Sequence, residues 1–196
     1  LAMGGMKPVV AIYSSFLQRA YDQMLHDVAL QRLHVVFAID RAGLVGADGE
    51  THQGVYDIAY CLSMPYVEIY SPASKGELEE MLKMAVEGDV PAAVRYGKGT
   101  LPDRVYPAVE YGKWIEIKPI SNVTVVATGR MVEIAERAVE NLDVGLVNAR
   151  FIRPMDEAML DMIKQKASYV ITIEDGIAQG GMGSGIDKRP TRIKVE

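Results

Sequence analysis

Along the first half of the chain, short runs of apolar and β-branched residues alternate with longer stretches in which apolar positions recur every three or four residues. "PVVAIYS" is followed by "FLQRAYDQMLHDVALQ", "VVFAID" by "VYDIAYCLSM", "YVEIYS" by "KGELEEMLKMAVE", and "AAVRY" closes the series. Runs of the first kind have the length and composition of buried strands, and stretches of the second kind have the period of amphipathic helices. The alternation predicts strands joined by crossover helices, hence a mostly parallel sheet covered on both faces. Ser14 or Ser15 is placed to cap the first helix and Ser74 the third, where Glu77 completes a capping-box spacing.

From Gly97 to about Asn122 the rhythm stops and Gly, Pro and Tyr accumulate, which reads as an interdomain linker over 98–122. It resumes with "VTVVATG", "MVEIAERAVENL", "VGLVNAR", "PMDEAMLDMIKQKA" and "YVITIED", a second, smaller α/β unit in which Gly129 ends a strand and Pro154 lies near a helix start. The fold class expected is therefore α/β, with two consecutive parallel-sheet domains over 1–97 and 123–196. Roughly four strands are expected in the first sheet and roughly three to four in the second, one of them at the very C-terminus. "LAMGGMKP" reads as the tail of a helix, so the first domain is expected to lack its N-terminal part, and a segment is expected to be missing between Gly185 and Lys188.

Composition narrows the class. The 196 residues are 49% hydrophobic and 24% charged, the balance of a soluble globular protein of one or two domains. No stretch approaches the roughly 18 apolar residues of a membrane span, and no basic-then-apolar secretory signal opens the chain, so a cytoplasmic protein without a membrane partner is expected. Cys61 is the single cysteine, which excludes an intramolecular disulfide or a thiolate cluster; within "IAYCLSM" its expected role is core packing. A formal net charge of −5 argues against a nucleic-acid partner. It leaves room for an anionic small ligand wherever a few arginines share a cleft.

Ligands of an open parallel sheet bind beyond the carboxyl ends of its strands. The residues there are Tyr13, Phe16 and Arg19 after the first strand, Arg41, Asp48 and His52 after the second, and Arg95 at the end of the last. Three arginines and a tyrosine at one sheet edge make a candidate anion site, since guanidinium binds phosphate bidentately, although each arginine alone has a surface ion pair as its alternative. The second of these loops, "DRAGLVGADGETHQG" from Asp40 to Gly54, carries one of the three histidines. His52 can exchange protons near neutral pH and Asp48 could orient it or pair with it; a plain solvated loop is the alternative. Asp48 and Glu50 do not make a calcium-loop spacing. His26 and His34 read as helix residues of no special role, and "GGMGSG", Gly180 to Gly185, lacks the P-loop and dinucleotide spacings and reads as a tight turn at a domain or subunit contact.

In this order, "KPVVAIYSSFLQRAYDQMLHDVALQ", "FAIDRAGLVGADGETHQGVYD", "PAAVRYGKG" and "NARFIRPMDEAML" resemble the 1-deoxy-D-xylulose-5-phosphate synthases, thiamine-diphosphate enzymes of the transketolase superfamily. "YSSFLQRAYDQ" combined with "DRAGLVGADGETHQG" is specific to that family, and the likeness runs from about Leu1 to Gly185. The resemblance implies that residues 1–97 are most of a pyrimidine-binding domain and the remainder a transketolase C-terminal domain. It implies a transferase that condenses pyruvate with glyceraldehyde 3-phosphate, releases carbon dioxide and feeds isoprenoid, thiamine and pyridoxal synthesis. It also implies thiamine diphosphate and magnesium as cofactors, the metal being held by an N-terminal domain outside these residues, and, by superfamily analogy, a homodimer.

Residue by residue, the resemblance gives Phe16 the place of an aromatic residue stacked on the aminopyrimidine and Arg19 that of an arginine near the cofactor. Tyr13, Arg41 and Arg95 match residues that hold the phosphate of the aldehyde substrate, His52 a histidine beside the reacting carbon, and Asp48 an acid that contacts substrate or steadies the loop. "RYGKG" stands where the family usually has "RYPRG", and after Gly185 only Ile186 and Asp187 precede "KRPTRIKV", where the family has a helix. Because the metal domain and an upstream glutamate that protonates the aminopyrimidine lie outside these residues, the chain alone is expected to be inactive. Two other readings stay open: a subunit of a split thiamine-diphosphate enzyme, of the transketolase or 2-oxoacid dehydrogenase β type, and a noncatalytic dimerisation module of the same fold.

Overall fold

Strand β1 (Val9–Tyr13) lies beside β2 (Val36–Asp40), then β4 (Ala92–Arg95), then β3 (Glu68–Tyr70), all parallel. The computed structural model describes residues 1–187 and the backbone of a last strand, β10 (Lys194–Val195). All four residues of β4 and the first four of β2 are buried, so these strands are covered on both faces, which is why each is an unbroken apolar run in the sequence up to its last residue, Arg95 or Asp40. Helices α2 (Asp57–Ser63) and α3 (Lys75–Glu87) supply the crossovers.

A second sheet has the order β10, β9 (Tyr169–Ile173), β6 (Val123–Ala127), β7 (Gly145–Asn148), β5 (Ile115–Lys118). It is flanked by α4 (Met131–Ala138), α5 (Glu157–Lys166) and α6 (Met182–Asp187). Two α/β layers with mostly parallel sheets are thus present, as the alternating pattern predicts. Among the described residues each sheet nevertheless has five strands, because two short segments add antiparallel edges. β5 forms inside the stretch read as linker and pairs with β7, and β8 (Phe151–Arg153) crosses over to pair with β3 of the first sheet. The crossing is driven by Phe151, fully buried with its ring 4.8 Å from that of Tyr70, edge to face. One apolar cluster accordingly runs through both units, joining Ile58, Cys61 and Ile69 to Val147, Ile152 and Leu160.

Local expectations fared differently. The first helix is a composite of α1 (Ser14–Leu17), a 3-10 turn over Gln18–Ala20 and π-helical turns over Gln23–Ala29. Neither Ser14 nor Ser15 caps it: both already lie inside α1, Tyr13 occupies the capping position, and the buried Ser14 hydroxyl has no partner among the described residues. Ser74 does cap α3, accepting from the Glu77 amide at 3.3 Å, while the Glu77 carboxylate reaches back one residue further than the box requires, to the Ala73 amide at 2.8 Å. That carboxylate also takes the buried Arg150 guanidinium at 2.6 Å, tying α3 to the second unit. The Gly180–Gly185 stretch starts α6, where the Glu174 carboxylate accepts from the Met182 and Gly183 amides at 2.8 and 2.9 Å. Gly180 packs on Ala59 of α2, which makes the turn a contact between the two units. The segment expected to be missing before Lys188 lies at the limit of the described residues, and Lys188 itself lies outside them. Among the described residues no helix is long and apolar enough to cross a membrane.

Candidate active site

The carboxyl ends of β1, β2 and β4 point to the same edge of the first sheet, and the loop after β2 is folded to face it. Its stem is closed by a reciprocal backbone pair, Gly43 with Gly54, at 2.7 and 2.8 Å. A side chain at Gly54 would meet the Arg41 carbonyl and Ser14 Cβ, so this close approach of loop to α1 requires glycine. Inside the loop the Gln53 side chain accepts from the Val45 amide and donates to the Gly49 carbonyl, both at 2.9 Å. Two short 3-10 turns, Gly46–Asp48 and Glu50–His52, then present Asp48 and His52.

These side chains meet those at the start of α1. The rings of Tyr13 and Phe16 stack with centroids 5.3 Å apart, and His52 approaches Phe16 edge-on at 5.4 Å. The Arg41 guanidinium lies over the Tyr13 ring at 4.1 Å. Its Nη1 donates to one oxygen of Asp48, and the Lys98 ammonium donates to the other. The Lys98 hydrogen bond, reinforced by the charge of Arg41, holds the Asp48 carboxyl below the usual carboxylate range. His52 Nδ1 shares a hydrogen bond of 2.9 Å with the Thr51 hydroxyl, which leaves Nε2 for a ligand. Phe16 keeps 40% of its surface exposed, unusual for a phenylalanine on a well-packed sheet edge. The cluster therefore offers an aromatic plane, an imidazole nitrogen, and two cations that share a single carboxylate and so retain excess positive charge.

Tyr13, Phe16, Arg41, Asp48 and His52 are thus brought together. The expected pairing of Asp48 with His52 is not made; Asp48 is taken by Arg41 and Lys98, and His52 turns to Thr51. Arg19 is exposed in the 3-10 turn beyond α1 and takes no part in the cluster. Arg95 is not brought to the open edge either. It is 3% exposed, with Nε 2.8 Å from Asp57 Oδ2 and Nη1 2.9 Å from Asp175 Oδ1, and the Ser71 hydroxyl accepts from Nη1 at 3.4 Å. Burial alone would weaken its hold on the proton, but the two carboxylates outweigh burial and raise its pKa further. Lys98, three residues on, stands where an anion-binding residue from this strand was expected. The strand-end rule points to the loop after β4 for such a residue, because β4 itself is buried over its whole length. Among the described residues no group of His, Cys, Asp and Glu is placed to hold a metal ion.

Residues 1–104 match the transketolase pyrimidine-binding domain family and residues 112–192 the transketolase C-terminal domain family. The 1-deoxy-D-xylulose-5-phosphate synthase of Clostridium tetani is 47% identical over 193 residues, covering 95% of this chain and 31% of that protein. The synthase of Thermus thermophilus is 47% identical over 191 residues, with the same coverage. The chain therefore spans 31% of the length of these curated relatives. Of solved structures, a split-gene transketolase described as an inactive β4 tetramer superposes with a TM-score of 0.88 at 24% identity, over 99% of this chain and 67% of that one. A transketolase mutant from Pichia stipitis superposes with a TM-score of 0.75 at 19% identity, over 86% of this chain and 27% of that one. At these identities the two structures bear on the fold.

Proposed function

Since this chain belongs to the transketolase family, joining its pyrimidine-binding domain to its C-terminal domain, we propose that it is part of a 1-deoxy-D-xylulose-5-phosphate synthase. In that reading the enzyme condenses pyruvate with glyceraldehyde 3-phosphate with loss of carbon dioxide, an early step toward isoprenoids and thiamine, as a cytoplasmic homodimer. The domains divide near 1–97 and 123–196. The observation that carries the reading is the exposed Phe16 ring set between Tyr13 and His52, beside two cations held ready on Asp48.

Thiamine diphosphate, when bound, would supply the carbon centre at which pyruvate loses carbon dioxide. The half-exposed face of Phe16 fits the stacking of its pyrimidine ring. Its magnesium is assigned to ligands outside the described residues. Arg41 and Lys98 bind the phosphate of the aldehyde; their shared hold on Asp48 fixes both side chains beforehand, so less freedom is lost when the dianion arrives. Tyr13 carries the Arg41 guanidinium on its ring and sets its height. His52 Nε2 is the group that gives or takes a proton at the aldehyde oxygen, with Nδ1 steadied by Thr51. Arg19, exposed one turn beyond Phe16, is the cation available to the pyruvate carboxylate. Arg95 keeps a structural role.

The test is a chimera in which this chain replaces the matching segment of the Clostridium tetani synthase. The expected result is 1-deoxy-D-xylulose 5-phosphate formed with carbon dioxide, and a KM for glyceraldehyde 3-phosphate raised at least about tenfold by Arg41→Ala, the loss of one charged contact. A folded, cofactor-binding chimera that transfers ketol units between sugar phosphates but ignores pyruvate would overturn the reading. The second reading is a separately encoded subunit of a split thiamine-diphosphate enzyme. Turnover restored by mixing the chain with a separate diphosphate-binding domain would support it.

A further inference from the structure

Arg130 directly precedes α4 in the second unit, yet its side chain serves the first. Its Nη1 donates to the Leu44 carbonyl at 2.9 Å, and its Nε lies 4.0 Å from Asp175 Oδ2. A Cβ at Gly97 would stand 3.0 Å from Arg130 Cδ, so the arginine stem lies along the Gly97 backbone. Leu44 and Gly97 belong to the two segments that deliver Arg41 with Asp48, and Lys98. Leu44 is 59% exposed, so burial of its side chain does not hold the loop at this point. Asp175 holds the same place from beneath: its carboxylate fills the space over Gly43, where any side chain would collide with it. Both groups come from the second unit, and together they grip the loop between Gly43 and Leu44.

We propose that Arg130 is a positioning residue that latches the Asp40–Gly54 loop to the C-terminal domain, so that this domain sets where the anion-binding cations stand. Its side chain is 37% exposed, which suits a contact that biases a loop without holding the fold together. The latch is a property of the chain itself; its catalytic consequence rests on the synthase reading.

Two readouts test it, on Arg130→Ala and Arg130→Lys. By hydrogen–deuterium exchange of the chain, amides of residues 43–54 should exchange about tenfold faster in Arg130→Ala, with α4 and β6 keeping their protection. Arg130→Lys, which retains one donor, should recover part of the difference. In the chimera, Arg130→Ala should raise the KM for glyceraldehyde 3-phosphate severalfold and leave the KM for pyruvate unchanged. Unchanged loop exchange, or protection lost equally through α4 and β6, would overturn the latch. Loss of pyruvate turnover in the parent chimera would count against the synthase reading alone, and the exchange pattern would still decide the latch.

Discussion

Arg95→Met keeps much of the arginine stem while deleting the guanidinium that lies 2.8 Å from Asp57 and 2.9 Å from Asp175. The Asp57 and Asp175 side chains are 0% and 4% exposed, so water cannot take the place of the lost cation. Removing one partner of a buried pair costs about 3–5 kcal/mol, a large part of the roughly 5–15 kcal/mol that holds a domain together. Arg130, 4.0 Å from Asp175, compensates that acid in part, so Asp57 carries most of the damage. For a chain of this size the loss corresponds to a melting point lowered by about 6–20 °C. Burial already pushes the Asp57 carboxyl above the usual range, against the pull of Arg95, and without Arg95 it rises further. A carboxyl whose folded pKa exceeds its unfolded one binds more protons when native, so stability falls as pH climbs from about 4 toward the folded value. The deficit of Arg95→Met should therefore be larger at pH 8 than at pH 5 in urea melts followed by circular dichroism. Adding Asp57→Asn should recover part of it. A variant within about 0.5 kcal/mol of the parent at both pH values, with phosphate-substrate affinity abolished, would refute the argument and return Arg95 to the anion site.

Three further outcomes follow from the same contacts. Lys98→Met should move the Asp48 titration upward, toward the ordinary carboxylate range, in carboxyl-carbon NMR, because the Lys98 hydrogen bond is the chief cause of its depression. In the parent, the stability owed to this ionised carboxylate is present above its unfolded pKa and is lost as pH falls through the depressed folded value; an unmoved midpoint would contradict the pairing. Gly54→Ala should cost about 1–3 kcal/mol in urea melts, since the new methyl meets the Arg41 carbonyl and Ser14 Cβ, the latter at 2.7 Å; a neutral variant would mean the stem is loose. Cys61, buried with its thiol pushed far up by burial, should ignore a disulfide reagent in the native protein and react once in strong guanidinium; fast native labelling would contradict its place in the core.

What the sequence disclosed and what it concealed divide along a physical line. β2 and β4 were legible because burial on both faces writes an unbroken apolar run into three or four successive residues. β5 and β8 were not, since an antiparallel edge strand of three or four residues has no period of its own and exists only through β7 and β3. The same division holds at the site. Tyr13, which closes β1, and Phe16, Arg41, Asp48 and His52, which follow strand ends, could be assembled from their places along the chain. The partners of the charges could not, because Asp48 meets Lys98 across 50 positions and Arg95 meets Asp57 and Asp175 across 38 and 80. Two arginines that look alike in the sequence are separated by that arithmetic of partners. Arg41 and Lys98 divide one carboxylate between them and keep positive charge to offer a ligand. Arg95 faces two carboxylates and has none left, so its placement at a strand end makes it a brace between the two units, and on the synthase reading it is the loop residue beyond it that would meet an anion.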